Sequence, residues 1–384
     1  MMEDVSSEPV SERTKRWAAT MGGFEAHAGD VTLAHEDSSA SVDVTSIQSG
    51  EVAGTRLERE ETMVAAMAKG ATHSSGGGNR QREEEPDEYR TCFERDRDRI
   101  LHSAAFRRLA GKTQVFVFPD DHMRTRLTHA LEVAQVATGI ARAVGLNVAL
   151  TEAIALGHDC GHGPGGHASE EALDPYVAGG FDHAVWGANV SLRSLNLCVE
   201  TLDGIRNHSW SRPAPLTPEG EVVSWADRIA YVCHDFEDAV SAQVTQPDNL
   251  PEIVAQRCGS RRGQQLGTFI NAMIRTIRAS GVIGMDAYHA EALAAFRTFN
   301  YESIYLRSAS RQQANAVVSM LQALVEFFAT NPQLIPDVDI QGDQTQALEN
   351  AVAYVAGMTD RFACRSAVTL LDWPEDQLPS GVDR

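Results

Sequence analysis

The chain has 384 residues, 43% of them hydrophobic, and 53 acidic side chains against 33 basic ones give a formal net charge of −20. That length can bury a large core. The charge excludes a broad electrostatic surface for duplex nucleic acid but leaves room for a small basic pocket around one anion. The six cysteines, at 92, 160, 198, 233, 258 and 364, form no CxxC pair, so neither a zinc ribbon nor a disulfide framework is indicated and reduced thiols are expected. The first residues are acidic and polar, and no apolar run approaches the ~20 residues that span a bilayer, so a cytoplasmic protein is expected.

Residues 1–57 are rich in Ser, Glu, Gly, Ala and Thr and keep no sustained hydrophobic period, which predicts a disordered extension. Residues 58–88 read as an arm of the folded domain. They comprise a short helix over Leu57 to Lys69, a break at Ser74-Ser75-Gly76-Gly77-Gly78 and an acidic run from Glu83 to Asp87. The GGGNR stretch lacks the GxxxxGK[ST] spacing of a phosphate loop. From Tyr89 onward Phe93, Ile100, Ala104 and Leu109 make a helical stripe. Glu94, Asp96 and Asp98 lace most of the arginines there, whereas Arg107, Arg108 and Lys112 lack acidic neighbours and are expected to face an anion.

Arg126 to Val144 is apolar nearly all round and predicts a buried helix, with His129 on the face of Val133 and Val136 and so turned inward. Gly145-Leu146-Asn147 breaks it. A second apolar run through Ile154-Ala155-Leu156 ends at His158, where HDCGHGPGGHASE packs three histidines, two acids and four glycines into thirteen residues. Neighbours on a regular helix point about 100° apart, so His158 and Asp159 can share a metal only where the backbone turns freely, as Gly161 and Gly163 allow. Imidazole and carboxylate together suit Mn, Fe, Co, Ni or Zn. Two antiparallel helices would bring His129 to this pair.

Further on, Thr217 and Pro218 open a well-capped helix with Glu219 and Glu221 in its first turn. Val222, Trp225, Ala226, Ile229, Val232, Cys233 and Phe236 give it a wide apolar stripe. Asp227, Tyr231, His234, Asp235 and Asp238 recur on another face, the pattern of a buried helix that lines a polar cavity. More helices follow at Leu266 to Ile277, Ala287 to Phe299 and Ser310 to Ala329, with Asn331-Pro332 as a stop. Gln346 to Leu371 reads as one more helix. The expectation is an all-α chain with a catalytic core at 89–330, a C-terminal helical segment at 331–374 and a tail at 375–384.

His129, then His158-Asp159, then Asp227 is the H…HD…D pattern, and the chain resembles the HD-domain metal-dependent phosphohydrolases, within them the deoxyguanosinetriphosphate triphosphohydrolase-like family. The resemblance runs from about Leu57 to about Trp373, through EYRTCFERDRDRILHSAAFRRLAGKTQVFVFP, RTRLTHALEVAQVA, LTEAIALGHDCGHGPGGHASEEAL, NHSW, EVVSWADRIAYVCHDFEDAV and YVAGMTDRFA. It implies an HD-domain helical fold with additional C-terminal helices, in which His129, His158, Asp159 and Asp227 hold one divalent ion (Mn, Mg, Fe, Co, Ni or Zn). It places His167 and Glu170 in catalytic positions, with His162 and His183 lining the pocket. Arg126, Arg228 and Tyr231 are matched to phosphates and Asp235 to the sugar, and Lys112 and Gln114 complete the expected substrate-binding set. The implied reaction splits a dNTP such as dGTP into deoxynucleoside and triphosphate, in a ring-like homo-oligomer that responds to dNTP effectors. Glu170 is expected to orient His167 and raise its pKa for proton donation to the leaving 5′-oxygen. Gly165, Ala184, Trp186 and Asn189 depart from the family pattern. Two other classes stay open: an HD phosphohydrolase acting on 5′-monophosphates or alarmones, and a non-catalytic nucleotide sensor.

Overall fold

Capping residues set the helix ends that matter here. Thr55 and Glu58 form a reciprocal capping box for the helix Arg56–Ala66, and Thr91 and Glu94 repeat it for Cys92–His102. Gly145, in the left-handed region at φ 77°, ends the helix Arg126–Val144, and Asn147 accepts from Leu150 N to start the next at Val148. Thr217 accepts from Gly220 N, with Pro218 at the first position of a 24-residue helix.

The computed structural model describes residues 11–25, 31–45, 54–117, 123–336 and 344–379. The chain divides into two units, Met1–Gly54 and Thr55–Arg384. The described residues of the first unit form α1 (Glu12–Ala19) and a short antiparallel pair, β1 (Phe24–Glu25) with β2 (Thr32–Leu33). No strand was expected there. None of their described side chains is buried, in keeping with a stretch that has few large apolar residues.

The second unit is helical throughout its described residues: α2 (Arg56–Ala66), α3 (Cys92–His102), α4 (Ala104–Arg108), α5 (Arg126–Val144), α6 (Val148–Gly157), α7 (His167–Leu173), α8 (His183–Trp186), α9 (Val199–Arg206), α10 (Pro218–Ser241), α11 (Glu252–Cys258), α12 (Arg262–Ser280), α13 (Ala287–Asn300), α14 (Ser308–Thr330), α15 (Gln344–Ala356) and α16 (Asp360–Leu371). The all-α expectation holds. The single helix expected over Gln346 to Leu371 is in fact two, α15 and α16, because Gly357 and Met358 interrupt it and Thr359 caps a new start by accepting from Phe362 N.

α6 is mostly apolar and is buried except at Val148 and at Glu152, which reaches Arg97, and it packs among α3, α5, α9 and α10. Leu150, Ile154 and Leu156 vanish from solvent there, each worth roughly 1.5–3 kcal/mol of burial. The histidine at the tip of α6 therefore rides on an immobile support. A second apolar cluster joins α7 to α14, α15 and α16 through Leu173, Val317, Leu321, Val352 and Ala363, and it backs the loop that leads into α7.

Candidate metal centre and catalytic cavity

Three helices deliver one cluster. His129 comes from the first turn of α5, His158 caps the C-terminus of α6, and Asp227 lies midway along α10, which packs on both. His129 Nε2 lies 3.0 Å from Asp227 Oδ1, and His158 Nε2 lies 3.8 Å from that oxygen and 3.5 Å from Asp159 Oδ1. His158 Nδ1–H donates to Ala155 O at 2.6 Å, which leaves the Nε2 lone pair facing the cluster, buried and without a hydrogen-bond partner. Burial opposes ionisation of Asp159, but the Arg126 guanidinium, donating to its Oδ2 at 2.6 Å, and the histidines hold its pKa well below the usual carboxylate range. Asp227 is likewise held low against burial by His129 and His158. Two imidazoles, with His129 Nδ1 and His158 Nε2 buried and unpartnered, and two ionised carboxylates fit a borderline divalent ion. Of the four ligands expected from the sequence, His129, His158 and Asp227 bring their donor atoms together in one group, and Asp159 joins His158 in an adjoining group with His208.

A histidine stack adjoins them. His162 Nε2 lies 3.2 Å from Asp159 Oδ1, and its ring stacks on His183 at 3.7 Å. Gly161 permits that approach, since a Cβ there would meet the His183 carbonyl oxygen at 1.9 Å. Glu170 does not serve His167 as expected. Its Oε1 accepts from His183 Nδ1 at 2.5 Å and from His183 N at 3.1 Å. Burial opposes both charges, yet the bond brings Glu170 down to about 2 and raises the pKa of His183. His183 Nε2 lies 3.2 Å from His208 Nε2, while His208 Nδ1–H donates to Ile205 O. Burial, His158 and His183 push His208 down to about 4. His208 stands in no motif of its own in the sequence, and only folding brings it against His158 and His183.

His167 lines the cavity with its side chain exposed, and its pKa is lowered, not raised, by desolvation within the cavity and by the nearby Arg126. The cavity holds about 570 Å³, within the range of nucleotide-sized sites. Gln114, Arg126, His162, His183, Arg228, Tyr231 and Asp235 all line it, as expected. Lys112 does not. Its ammonium is buried and donates to the carbonyls of His162 and Ala356, the latter at 3.0 Å, and burial together with Arg108 brings it down to about 8. Arg107 and Arg108 are exposed and lie outside the cavity. The polar stripe of α10 divides as well. Asp227, Tyr231 and Asp235 face the cavity, whereas Asp238 binds Arg124 at 2.8 Å and His234 lies 3.4 Å from Glu132. Of the four departures only Gly165 lines the cavity. Ala184 is buried, Trp186 packs on Phe181, and Asn189 accepts from Arg206.

The structure adds residues that the sequence did not mark. Arg297 of α13 donates from Nε to the Tyr231 hydroxyl at 3.0 Å, and Tyr305 donates to Asp235, whose other oxygen accepts from Arg124. Arg126 Nε and Nη2 and Arg228 Nε are buried without partners, and no carboxylate pairs with Arg228 or Arg297 among the described residues. Val117, Ile304, Leu306 and Ala314 supply an apolar part of the wall.

Residues 126–232 match the HD domain, the span that carries all four candidate ligands, and residues 283–368 match the phosphohydrolase-associated domain. Fold and site thus define an HD-domain phosphohydrolase. A deoxyguanosinetriphosphate triphosphohydrolase-like protein of Caldanaerobacter subterraneus subsp. tengcongensis is 41% identical over 329 residues, covering 84% of this chain and 95% of that one. Proteins of the same description from Clostridium perfringens and Deinococcus radiodurans are 38% and 34% identical, covering 77% and 82% of this chain and 91% and 99% of theirs. The chain belongs to the deoxyguanosinetriphosphate triphosphohydrolase-like family. Among solved structures, a hypothetical protein of Aquifex aeolicus aligns with a TM-score of 0.46 at 18% identity, over 73% of this chain and 69% of that one.

Proposed function

We propose that the protein hydrolyses a deoxynucleoside triphosphate at the α-phosphorus, releasing deoxynucleoside and intact triphosphate. One observation carries this reading: Arg126, Arg228 and Arg297 converge on a cavity that also holds the His/Asp cluster, and two of the three have no carboxylate partner among the described residues. Three guanidiniums exceed what a monophosphate dianion needs and match a tetra-anionic triphosphate, to which planar forks bind two oxygens at a time. The names of the relatives, deoxyguanosinetriphosphate triphosphohydrolase-like, favour dGTP among the substrates.

His129, His158, Asp159 and Asp227 would hold the divalent ion, which when bound supplies Lewis-acid polarisation and a more acidic water. Arg126 keeps Asp159 ionised and offers its two unpartnered nitrogens to phosphate. Asp235, braced by Tyr305 and Arg124, offers a carboxylate to a sugar hydroxyl. Both ring nitrogens of His183 are engaged, by Glu170 and His208, whereas the His167 ring lines the cavity and faces the substrate space. His167 is therefore the proposed donor to the leaving 5′-oxygen. Its pKa is lowered in the protein alone, and an arriving triphosphate raises it by bringing negative charge beside it. Glu170, tied to His183, acts on His167 through space alone.

Incubation with each dNTP and Mn or Mg, followed by product identification, tests the reading. Deoxynucleoside plus triphosphate is expected. Pyrophosphate plus dNMP, orthophosphate, or turnover confined to monophosphates or alarmones would overturn it, as would nucleotide binding without turnover.

A further inference from the structure

Trp210 follows two residues after His208, in the loop that leaves α9, and stands at the cavity wall with its ring half-exposed. A lone exposed tryptophan in a loop is usually free to turn. This one is fixed on three sides by a single stretch of α10. Its Nε1–H donates to Ser224 O at 3.1 Å, its edge meets Trp225 at 4.7 Å between ring centroids, and the Arg228 guanidinium carbon lies 3.4 Å from the centre of its face. That last distance is van der Waals contact, which only a face-on approach allows. The in-plane N–H groups of Arg228 therefore run along the ring and not into it.

Arg228 needs such a support. Asp227 lies near enough to act on its charge, so an unrestrained guanidinium would be drawn toward a carboxylate that would hold the divalent ion. Burial lowers its pKa, its Nε is buried without a partner, and no carboxylate pairs with it among the described residues. The π face of Trp210 offsets part of that desolvation without occupying a single N–H. We propose that Trp210 is a positioning residue: it holds Arg228 flat against the cavity wall, with the donors that the Tyr231 hydroxyl does not take available to a polyphosphate. This rests on the triphosphohydrolase reading for the nature of the anion.

The test uses full-length protein, inorganic tripolyphosphate and dNTP turnover in parallel. Binding of tripolyphosphate is measured calorimetrically for wild type, Trp210→Ala, Trp210→Phe, Arg228→Ala and the double variant Trp210→Ala/Arg228→Ala, with unliganded melting temperatures as the folding control. Trp210→Ala is expected to weaken tripolyphosphate roughly tenfold, the factor equivalent to about 1.4 kcal/mol, and to raise KM for a dNTP by a similar factor with kcat within about twofold of wild type. Trp210→Phe, which keeps an aromatic face, should restore most of the loss, and Trp210→Ala should add nothing in the Arg228→Ala background. Wild-type affinity in Trp210→Ala overturns the proposal, as does an equal loss with and without Arg228. No binding by wild type overturns it too. Tripolyphosphate binding that follows the expected pattern, without turnover of any dNTP, sinks the hydrolase reading alone and upholds the positioning role.

Discussion

Glu170 grips His183 twice, through the ring at 2.5 Å and through the backbone N–H at 3.1 Å, and so ties the start of α8 to the first turn of α7. The pairing has a pH signature. Glu170 is brought down to about 2, so its contribution is complete above the ordinary carboxyl pKa and disappears as pH falls through about 2. His183 is raised, so its contribution is complete below the ordinary imidazole value and disappears as pH rises through the folded one. The gain therefore peaks between about pH 4.5 and 6.5. Glu170→Gln in metal-free protein should lower stability by about 2–3 kcal/mol near pH 5.5 and by less at alkaline pH. A deficit that stays constant from pH 5 to 9 would show that the charge pair is not responsible.

With Glu170 engaged elsewhere, the catalytic weight falls on His167. His167→Ala should keep metal and substrate binding and lose rate by roughly 10²–10⁴-fold, the span of general acid–base catalysis. Steady-state kinetics beside equilibrium binding separates the two effects. A kcat within threefold of wild type would remove His167 from the proton transfer.

The metal expectation is sharpened by Arg126, which donates to Asp159 at 2.6 Å inside the protein. Asp159→Ala would strand a buried guanidinium, at a cost of roughly 3–5 kcal/mol, and confuse unfolding with metal loss. Asp159→Asn keeps the shape and an acceptor oxygen. It should stay folded by circular dichroism while its metal content, measured by elemental analysis after dialysis, falls to a small fraction of wild type and hydrolysis with it. Stoichiometric metal in that variant would refute the four-ligand set.

Lys112 shows what a sequence conceals. Its lack of acidic neighbours suggested an anion, but backbone carbonyls, which no side-chain pattern records, hold its ammonium between His162 and Ala356. The same holds for Glu170: His167 is its neighbour at i−3, yet the turn between α7 and α8 presents His183 with two donors. The inward placement of His129 and Asp227, and of His158 and Asp159 at a helix end, was legible because helix periodicity and that helix end fix where each side chain points. Arg297, Trp210 and His208 were not, since each acquires its role only when α13 or the loop after α9 packs across α10. Gly357 was overlooked because the apolar period runs through it, while Thr359 restarts the helix.

If Lys112 is a clamp and not an anion ligand, Lys112→Met should leave KM for the nucleotide within about twofold. It should lower stability by about 1–3 kcal/mol through two lost bonds to buried carbonyls. Thermal melts and steady-state kinetics report both. An unchanged melting temperature with a tenfold rise in KM would restore the anion role.

Arg297 offers the opposite case, a residue unmarked in the sequence whose placement assigns it to the anion. Its Nε donates to Tyr231 at 3.0 Å, and Tyr301 lies 5.7 Å from its guanidinium carbon, so the fork is oriented by neighbours that carry no negative charge. Lysine preserves the charge but not the planar pair of donors or the bond to Tyr231. Arg297→Lys should therefore raise KM for a dNTP, and weaken product inhibition by inorganic triphosphate, each by roughly tenfold, with kcat little changed. The loss arises in binding the polyphosphate tail and not at the reacting phosphorus. A variant that keeps KM and loses kcat would move Arg297 from the tail to the reaction centre and break the proposed orientation of substrate in the cavity.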